Sequence, residues 1–428
     1  MEEQIKNMLL EFHCSNFRSF GAESGFTTYA TFDDVNENLL AQFQDKRVLR
    51  TMAFYGASGA GKSNLVEAMA YVKELIRLSV TLRQDSCLPV TPNRLIGPEV
   101  PSSFQLMFTK NGLRYSYTFS VLKGEVQTEH LYIYPNGRRT TIFDREGLRV
   151  TPGNRYRMSF HVGSTLLQKG LLFLPLAAAY SRVRECSGAL KFLENDLVIC
   201  RSRAERKKSQ NWLTYSAQTL ARDEETKKIF LGILDRLGTG VKDVRVEDTQ
   251  WGNGYEPRVH VVYDRFETDL CEESAGIQTL FTVLCPMIDI LENGKVLIVD
   301  EFDIGLHTGV ERSLIRLFYN MCPWTNAQLI FTTRDISLLE SGLFRRDQIW
   351  LVAQNEDRSS KVYCLFDRPN VRKKENLAHG YLQGRYGAVP KIADDWSEVA
   401  EQMAIAARKR KEEQKESDLQ TEDEKEDA

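Results

Sequence analysis

The sequence predicts an α/β fold: a mixed, largely parallel sheet core, an antiparallel β lobe and a mainly helical insertion. Three observations predict it. The apolar strand Met52-Ala53-Phe54-Tyr55 runs into the glycine-rich turn Gly56-Ala57-Ser58-Gly59-Ala60-Gly61-Lys62-Ser63, which opens a segment of helical spacing. A second continuous apolar run, Val296-Leu297-Ile298-Val299, ends in Asp300 and Glu301, as a strand of a buried parallel sheet would. Between them, FQLMF, LRYSYTFSV and HLYIY are separated by KNG and PNG turns over 103–150, a pattern of antiparallel hairpins and not of βαβ units.

In chain order, LLEFHCSNF and RTMAFY read as strands. From Ser63 to about Leu82, Leu65, Met69, Val72, Leu75 and Ile76 recur every three or four residues with no Gly or Pro, so a helix follows the turn. Residues 163–238 read as mostly helical, then VHVVY at 259–263 as a strand and 275–292 as a helix. KVLIVDE at 295–301 is the strongest buried-strand candidate, followed by a helix over 309–321 and strands at 327–333 and 348–353. The expected organisation is an N-terminal lobe over 9–160, a helical insertion over 161–257 and a C-terminal lobe over 258–391. The last stretch, 408–428, carries 15 charges and no aromatic residue, and is expected to be a disordered tail. No internal repeat is evident, and 188–237 lacks the sustained heptads of a long coiled coil.

Length and composition allow two or three domains or one large composite one: 428 residues, 42% hydrophobic and 27% charged, are ordinary globular values. A net charge of −3 argues against a strongly basic nucleic-acid coat. No signal peptide and no 18-residue apolar stretch is read, so a cytoplasmic protein without a membrane partner is expected. The eight cysteines form no CxxC pair and read as free thiols, and the six histidines make no HExxH site.

The turn at 56–63 matches GxxxxGK[ST] in the strand–turn–helix context its chemistry requires. Glycines let successive backbone N–H groups and the helix N-terminus face a phosphate. Gly56, Ser58, Gly59, Gly61 and Asn64 therefore belong to a nucleotide cradle, Lys62 would reach the β- and γ-phosphates, and the Ser63 hydroxyl would ligate Mg2+. Asp300 is the second Mg2+ candidate, and Glu301 is placed to polarise an attacking water. An apolar strand ending in Asp-Glu is common by itself; following a P-loop, it makes nucleotide hydrolysis the leading reading, with ATP and Mg2+ as the expected ligands.

Four segments then resemble, in order, the motifs of RecF/SMC-like ABC ATPases: Asn16-Phe17-Arg18-Ser19-Phe20, YGASGAGKSNLVEAM, EESAGIQ at 272–278 and VDEFDIGLH at 299–307. With RRDQIWLV at 345–352 and VRKKENLAHGYLQGRYGAVP at 371–390, they are more narrowly similar to OLD-type ATPases of bacterial antiphage systems, including the ATPase subunits of PARIS systems and RloA-type ATPases. The resemblance spans about 9–391 and implies an ABC-type ATPase head. It implies that Arg18 contacts the nucleotide, that Ser274 and Gly276 form a signature motif acting in trans on the γ-phosphate of another subunit, and that Asp303 sits in a D-loop. A homo-oligomer closed through ATP-sandwiched heads follows from that implication. From the residues alone, Ser274-Ala275-Gly276 equally fits a helix N-cap, and His307 fits either the family pattern or a structural role.

The sequence departs from the family at Arg334 in TTRD, where a γ-phosphate-sensing histidine is usual. Arginine keeps its charge and a forked donor set but cannot shuttle a proton near neutral pH, so Arg334 is expected to act on phosphate with slow or altered turnover. The basic run Arg201, Arg203, Arg206, Lys207 and Lys208 fits either a nucleic-acid or acidic partner or a solvated helix face. No DxD pair follows Glu340, so the Toprim nuclease chemistry of OLD enzymes is expected on a separate effector, held by this chain and released by a phage-encoded trigger. The rival expectation is a RecF-like DNA-repair ATPase that binds DNA directly.

Overall fold

A computed structural model describes every residue except 1–6, 34, 82–88, 202–209, 252–253, 304–305, 322–324, 341, 370, 373–374, 391–394 and 427–428. The chain divides into two compact units, Met1–Val389 and Pro390–Ala428. The strands of the first unit are β1 (Met8–Ser15), β2 (Ser24–Thr27), β3 (Ala41–Phe43), β4 (Lys46–Val48), β5 (Thr51–Tyr55), β6 (Ser102–Lys110), β7 (Leu113–Leu122), β8 (Glu125–Ile133), β9 (Thr140–Glu146), β10 (Arg149–Pro152), β11 (Leu197–Cys200), β12 (Asp243–Trp251), β13 (Gly254–Val262), β14 (Glu267–Asp269), β15 (Val296–Val299), β16 (Gln328–Thr332), β17 (Ile349–Gln354) and β18 (Ser360–Cys364).

The core sheet runs β11-β15-β16-β5-β17-β18, parallel from β11 to β17 and antiparallel only at the β17–β18 edge. All side chains of β5, β15 and β16 are buried, which is why these strands read as unbroken apolar runs. The P-loop strand β5 and the acid-bearing strand β15 do not touch: β16 lies between them. The β lobe is an antiparallel sheet, β10-β9-β8-β7-β6-β1-β2. Along β6, Phe104, Leu106 and Phe108 point into the core while Gln105 and Met107 are half-buried, the period-two alternation of a one-sided sheet. Buried Gln328 on β16 binds the two sheets together: its Oε1 accepts from Leu9 N (2.8 Å), and its Nε2 donates to the carbonyls of Leu9 (3.1 Å) and Leu49 (2.9 Å).

Helix Lys62–Thr81 buries Leu65, Met69, Val72, Leu75 and Ile76, the face its spacing predicts. Helix Ala275–Asn293 is capped by Ser274, whose Oγ accepts from Ile277 N (3.3 Å), and ends at Gly294 in the left-handed region (φ 60°). It is long and apolar enough to cross a membrane by length and composition, where the sequence reading expects no such stretch. Half of its apolar window is buried inside the fold, among it Phe281, Leu284 and Ile290, as in a core helix.

One expectation needs an addition and another a correction. Besides helices such as Phe173–Tyr180, Gln210–Arg222 and Glu224–Arg236, the segment 161–257 supplies β11 to the core sheet, β12 and the first residues of β13, Gly254 to Pro257. Leu197-Val198-Ile199-Cys200 is too short an apolar run to show a period, so its strand character is set by pairing with β15. The tail expected to be disordered is part of a helix, Ser397–Glu426. Its Glu, Lys, Arg, Gln and Ala residues are strong helix formers uninterrupted by Gly or Pro, and its described side chains over 397–414 are exposed. Over 397–414 it is helix without burial.

The β lobe is fastened by a fully buried ion pair. Arg145 donates to Glu129 Oε2 (3.0 Å) with both side chains at 0% exposure. Glu129 also accepts from Tyr117 Oη (2.9 Å) and from the backbone amides of Phe173 (2.6 Å) and Leu174 (2.9 Å), while Arg145 reaches the carbonyls of Gly147, Gln168 and Leu171. Every polar end in this hub has a partner, so removing one partner leaves a buried charge uncompensated. Glu129→Ala is expected to destabilise the chain by about 3–5 kcal/mol in chemical denaturation; a loss below about 1 kcal/mol would show the hub to be dispensable.

Candidate functional site

The site is built where the C-terminal ends of β5, β16 and β15 come level, with Phe54 opposite Thr332 and Phe331 opposite Val299. At the end of β5 the P-loop turns in space that only glycine fits. A Cβ on Gly56 would lie 2.2 Å from the Val352 carbonyl oxygen, and one on Gly61 (φ 110°) would lie 2.2 Å from Ser360 Oγ and 2.8 Å from Ser19 Oγ. Behind the loop, Ser360 Oγ donates to the Ala60 carbonyl (2.6 Å), and Asn64 Nδ2 donates to Ser19 Oγ (2.7 Å). Ala57 N donates to the Ala388 carbonyl (3.0 Å), so the GRYGAVP block buttresses the loop from the far end of the unit. Ser58 and Gly59 are exposed at the loop's outer rim, and Ser63 is exposed in the first turn of the helix.

Lys62 is 6% exposed, and its Nζ donates to the carbonyls of Gly56 (2.6 Å) and Ala57 (3.1 Å). Burial, then the nearby Arg334 cation, lower its pKa to about 8, although Asp300, Asp303 and Glu301 oppose the shift. Those three carboxylates and Arg334 are therefore electrostatic neighbours of the P-loop lysine, which joins the two motifs the sequence reading could only pair by order.

On β15, Asp300 is 3% exposed and accepts from Thr332 Oγ1 (2.6 Å). Glu301 takes a left-handed backbone (φ 54°), a conformation that costs a non-glycine residue roughly 1 kcal/mol. Its amide donates to the same Thr332 Oγ1 (2.7 Å). Arg334 Nη2 donates to Glu301 Oε1 (2.7 Å) and Arg334 N donates to Asp303 Oδ2 (3.1 Å), so this arginine ties the acidic pair to the segment after it. The Arg334 side chain is more than half exposed, and a pair of this kind contributes at most about 1 kcal/mol. It can be broken cheaply.

Other sequence candidates lie apart. Arg18 is held on the P-loop helix, its Nη2 3.0 Å from Glu67 Oε2; Arg201 shares Glu67 (3.7 Å) and also pairs with Glu74. Of the basic run, Arg201 is thus an ion-paired residue, while Arg203, Arg206, Lys207 and Lys208 lie outside the described residues. Ser274 is exposed and caps its helix, with Gly276 in the first turn; neither is hydrogen-bonded to the P-loop or to the acidic pair. His307 caps the next helix, Thr308–Asn320, accepting from Gly309 N (3.0 Å). Thr332, Ser19, Ser360 and Ala388 carry no site pattern of their own; Ser19, Thr332 and Ala388 lie inside the quoted segments NFRSF, TTRD and VRKKENLAHGYLQGRYGAVP, and Ser360 lies in none.

A family model described as "AAA domain, putative AbiEii toxin, Type IV TA system" matches residues 52–157 and 260–340, which include the P-loop, β15 and the acidic pair after it. The match covers less than half of the chain; in these segments the chain is similar to P-loop ATPase domains of that family. Similar solved structures include an SMC head domain from Thermotoga maritima, at 14% identity over 83% of this chain and 98% of that one, TM-score 0.44. Another is an Smc head domain with an extended coiled coil, bound to the C-terminal domain of ScpA derived from Pyrococcus furiosus, at 12% identity over 83% and 96%, TM-score 0.44. No curated protein matches the chain.

The Lys62 shift has a testable sign. Because burial holds the free side chain near pKa 8, its cation is lost first as pH rises past 8, and binding an anion must then include proton uptake. Affinity for a nucleotide triphosphate, followed with a fluorescent analogue, is expected to hold from pH 6.5 to 7.5 and to fall by up to about tenfold per unit above pH 8. A flat profile through pH 9 would contradict this role of Lys62.

Proposed function

We propose that this chain is an ATP-binding and hydrolysing sensor or scaffold subunit of a bacterial antiphage defence system, acting in the cytoplasm and holding a separate toxic effector. The observation that carries the ATPase part is the convergence of Lys62, Asp300, Glu301, Asp303 and Arg334 at the ends of β5, β15 and β16. The reference to an AbiEii toxin in the matched family's description supports the defence setting. The residue types fit ATP with Mg2+. The loop is open at Ser58 and Gly59, Lys62 supplies a cation, and a serine hydroxyl and a buried aspartate supply hard oxygen donors. Ser63 and Asp300 would hold the Mg2+, which neutralises phosphate charge when bound.

Each protein group then has a defined task. The P-loop amides and Lys62 bind and orient the phosphates, and Glu301 accepts a proton from the attacking water. Arg334 offers a forked cation to the same region and cannot itself take up that proton. Exposed Ser274 and half-buried Gly276, at a helix N-terminus, are suited to meet a nucleotide held by a second copy, which gives a homo-oligomer closed through its heads. The effector is a Toprim-type nuclease released when a phage protein is sensed.

Two outcomes test this reading. Lys62→Ala removes a charge-assisted contact of about 1.5–3 kcal/mol and should weaken ATP binding at least tenfold, whereas Glu301→Gln should keep binding and block turnover. Equal ATP affinity of Lys62→Ala and the parent chain would remove the P-loop assignment. Hydrolysis per chain should rise with protein concentration until the oligomer saturates, and Ser274→Arg should suppress it without loss of binding. A strictly monomeric chain with full activity would exclude the trans site.

A further inference from the structure

The threonine between the two catalytic strands has a role that its strand position does not require. β16 pairs through its backbone, and the Thr332 carbonyl accepts from Phe302 N (2.9 Å) without help from the side chain. At a site 1% exposed on a central parallel strand, valine would pack equally well and would bury no hydroxyl. The hydroxyl is instead used both as donor and as acceptor. It has one proton, given to Asp300 Oδ1 (2.6 Å), and it accepts from Glu301 N (2.7 Å). One oxygen atom therefore fixes the carboxylate plane of the first acid and the backbone of the second.

We propose that Thr332 is a positioning residue for nucleotide hydrolysis, setting Asp300 and Glu301 in a single register so that the metal-holding and water-polarising carboxylates act together. The inference rests on the reading under Proposed function and extends it to a residue that touches neither phosphate nor water. The left-handed backbone of Glu301 (φ 54°) is the reason such a device is needed. An L-residue leaves that conformation readily unless a partner holds its amide, and the Thr332 oxygen is that partner. Asp300 is held independently on its backbone side, where its amide donates to the Cys200 carbonyl (2.9 Å). The hydroxyl thus relates one acid to the other.

The test compares Thr332→Val, which keeps the shape and removes the hydroxyl, with Thr332→Ser, which restores it. Thr332→Val should lower kcat by about ten- to a hundredfold, the scale expected when reacting groups are misplaced by about an ångström, and should leave ATP affinity within about twofold of the parent's, the P-loop being untouched. Thr332→Ser should recover most of the rate. Mn2+ affinity, read by electron paramagnetic resonance on chains saturated with ATPγS, should fall several-fold in the valine variant and recover in the serine variant. That readout needs no turnover. It decides the role of Thr332 even if the parent chain hydrolyses no ATP, a result that would count against the hydrolysis reading. Parent-level Mn2+ affinity in Thr332→Val would overturn the proposal. So would losses of ATP binding and Mn2+ affinity that serine does not restore, since they would mark Thr332 as a packing residue.

Discussion

The site depends on one constraint of register: β16 lies between β5 and β15, and the three strands end level. A parallel sheet delivers the C-terminal ends of all its strands to one edge, so whatever leaves those ends is brought together without contacts of its own. Here that is a P-loop, a threonine followed by an arginine, and an acidic pair. The register is itself held from below by Gln328, which bonds β16 to both the β lobe and the chain entering β5. The β lobe in turn is closed by the Glu129–Arg145 hub. A polar residue without a partner at either point would loosen the sheet that aligns the chemistry.

The charge arrangement follows from this geometry. Two cations, Lys62 and Arg334, and three carboxylates, Asp300, Glu301 and Asp303, share one end of the sheet, and their mutual field is strong enough to act on the lysine. The carboxylates favour its charged form, yet burial and Arg334 outweigh them. The permanent cation at Arg334 thus has two effects: its guanidinium holds Glu301, and its charge makes the P-loop lysine easier to deprotonate, while the bond to Asp303 comes from the Arg334 backbone amide. A histidine side chain, mostly uncharged at neutral pH, would supply neither of the two charge effects and would keep the amide.

What could be read from the sequence was what is contiguous in it. The strand–turn–helix around Lys62, the acidic end of β15, the hairpins of β6 to β9 and the apolar face of the Lys62–Thr81 helix each carry their own local pattern. The residues that complete the site do not. Ser19 and Ser360 meet across 341 positions, and Thr332 reaches Asp300 across 32, so no window of sequence displays them together. β11 has no local pattern: four apolar residues after a helix carry no period, and only pairing with β15 makes them a strand. The C-terminal helix was missed for the opposite reason: its composition lacks a core, but helix propensity needs none. The basic run at 203–208 lies outside the described residues, and Arg201 beside it already serves Glu67 and Glu74.

The central claim is that one chain binds ATP at Lys62 and hydrolyses it at Asp300 and Glu301 with a divalent metal. The most direct test is phosphate release from ATP by the purified chain at high concentration, measured with Mg2+ and again after chelation with EDTA. The account predicts release that requires Mg2+ and stops on chelation. Release that continues unchanged in EDTA, or a chain that neither binds nor cleaves ATP at any concentration, would contradict it.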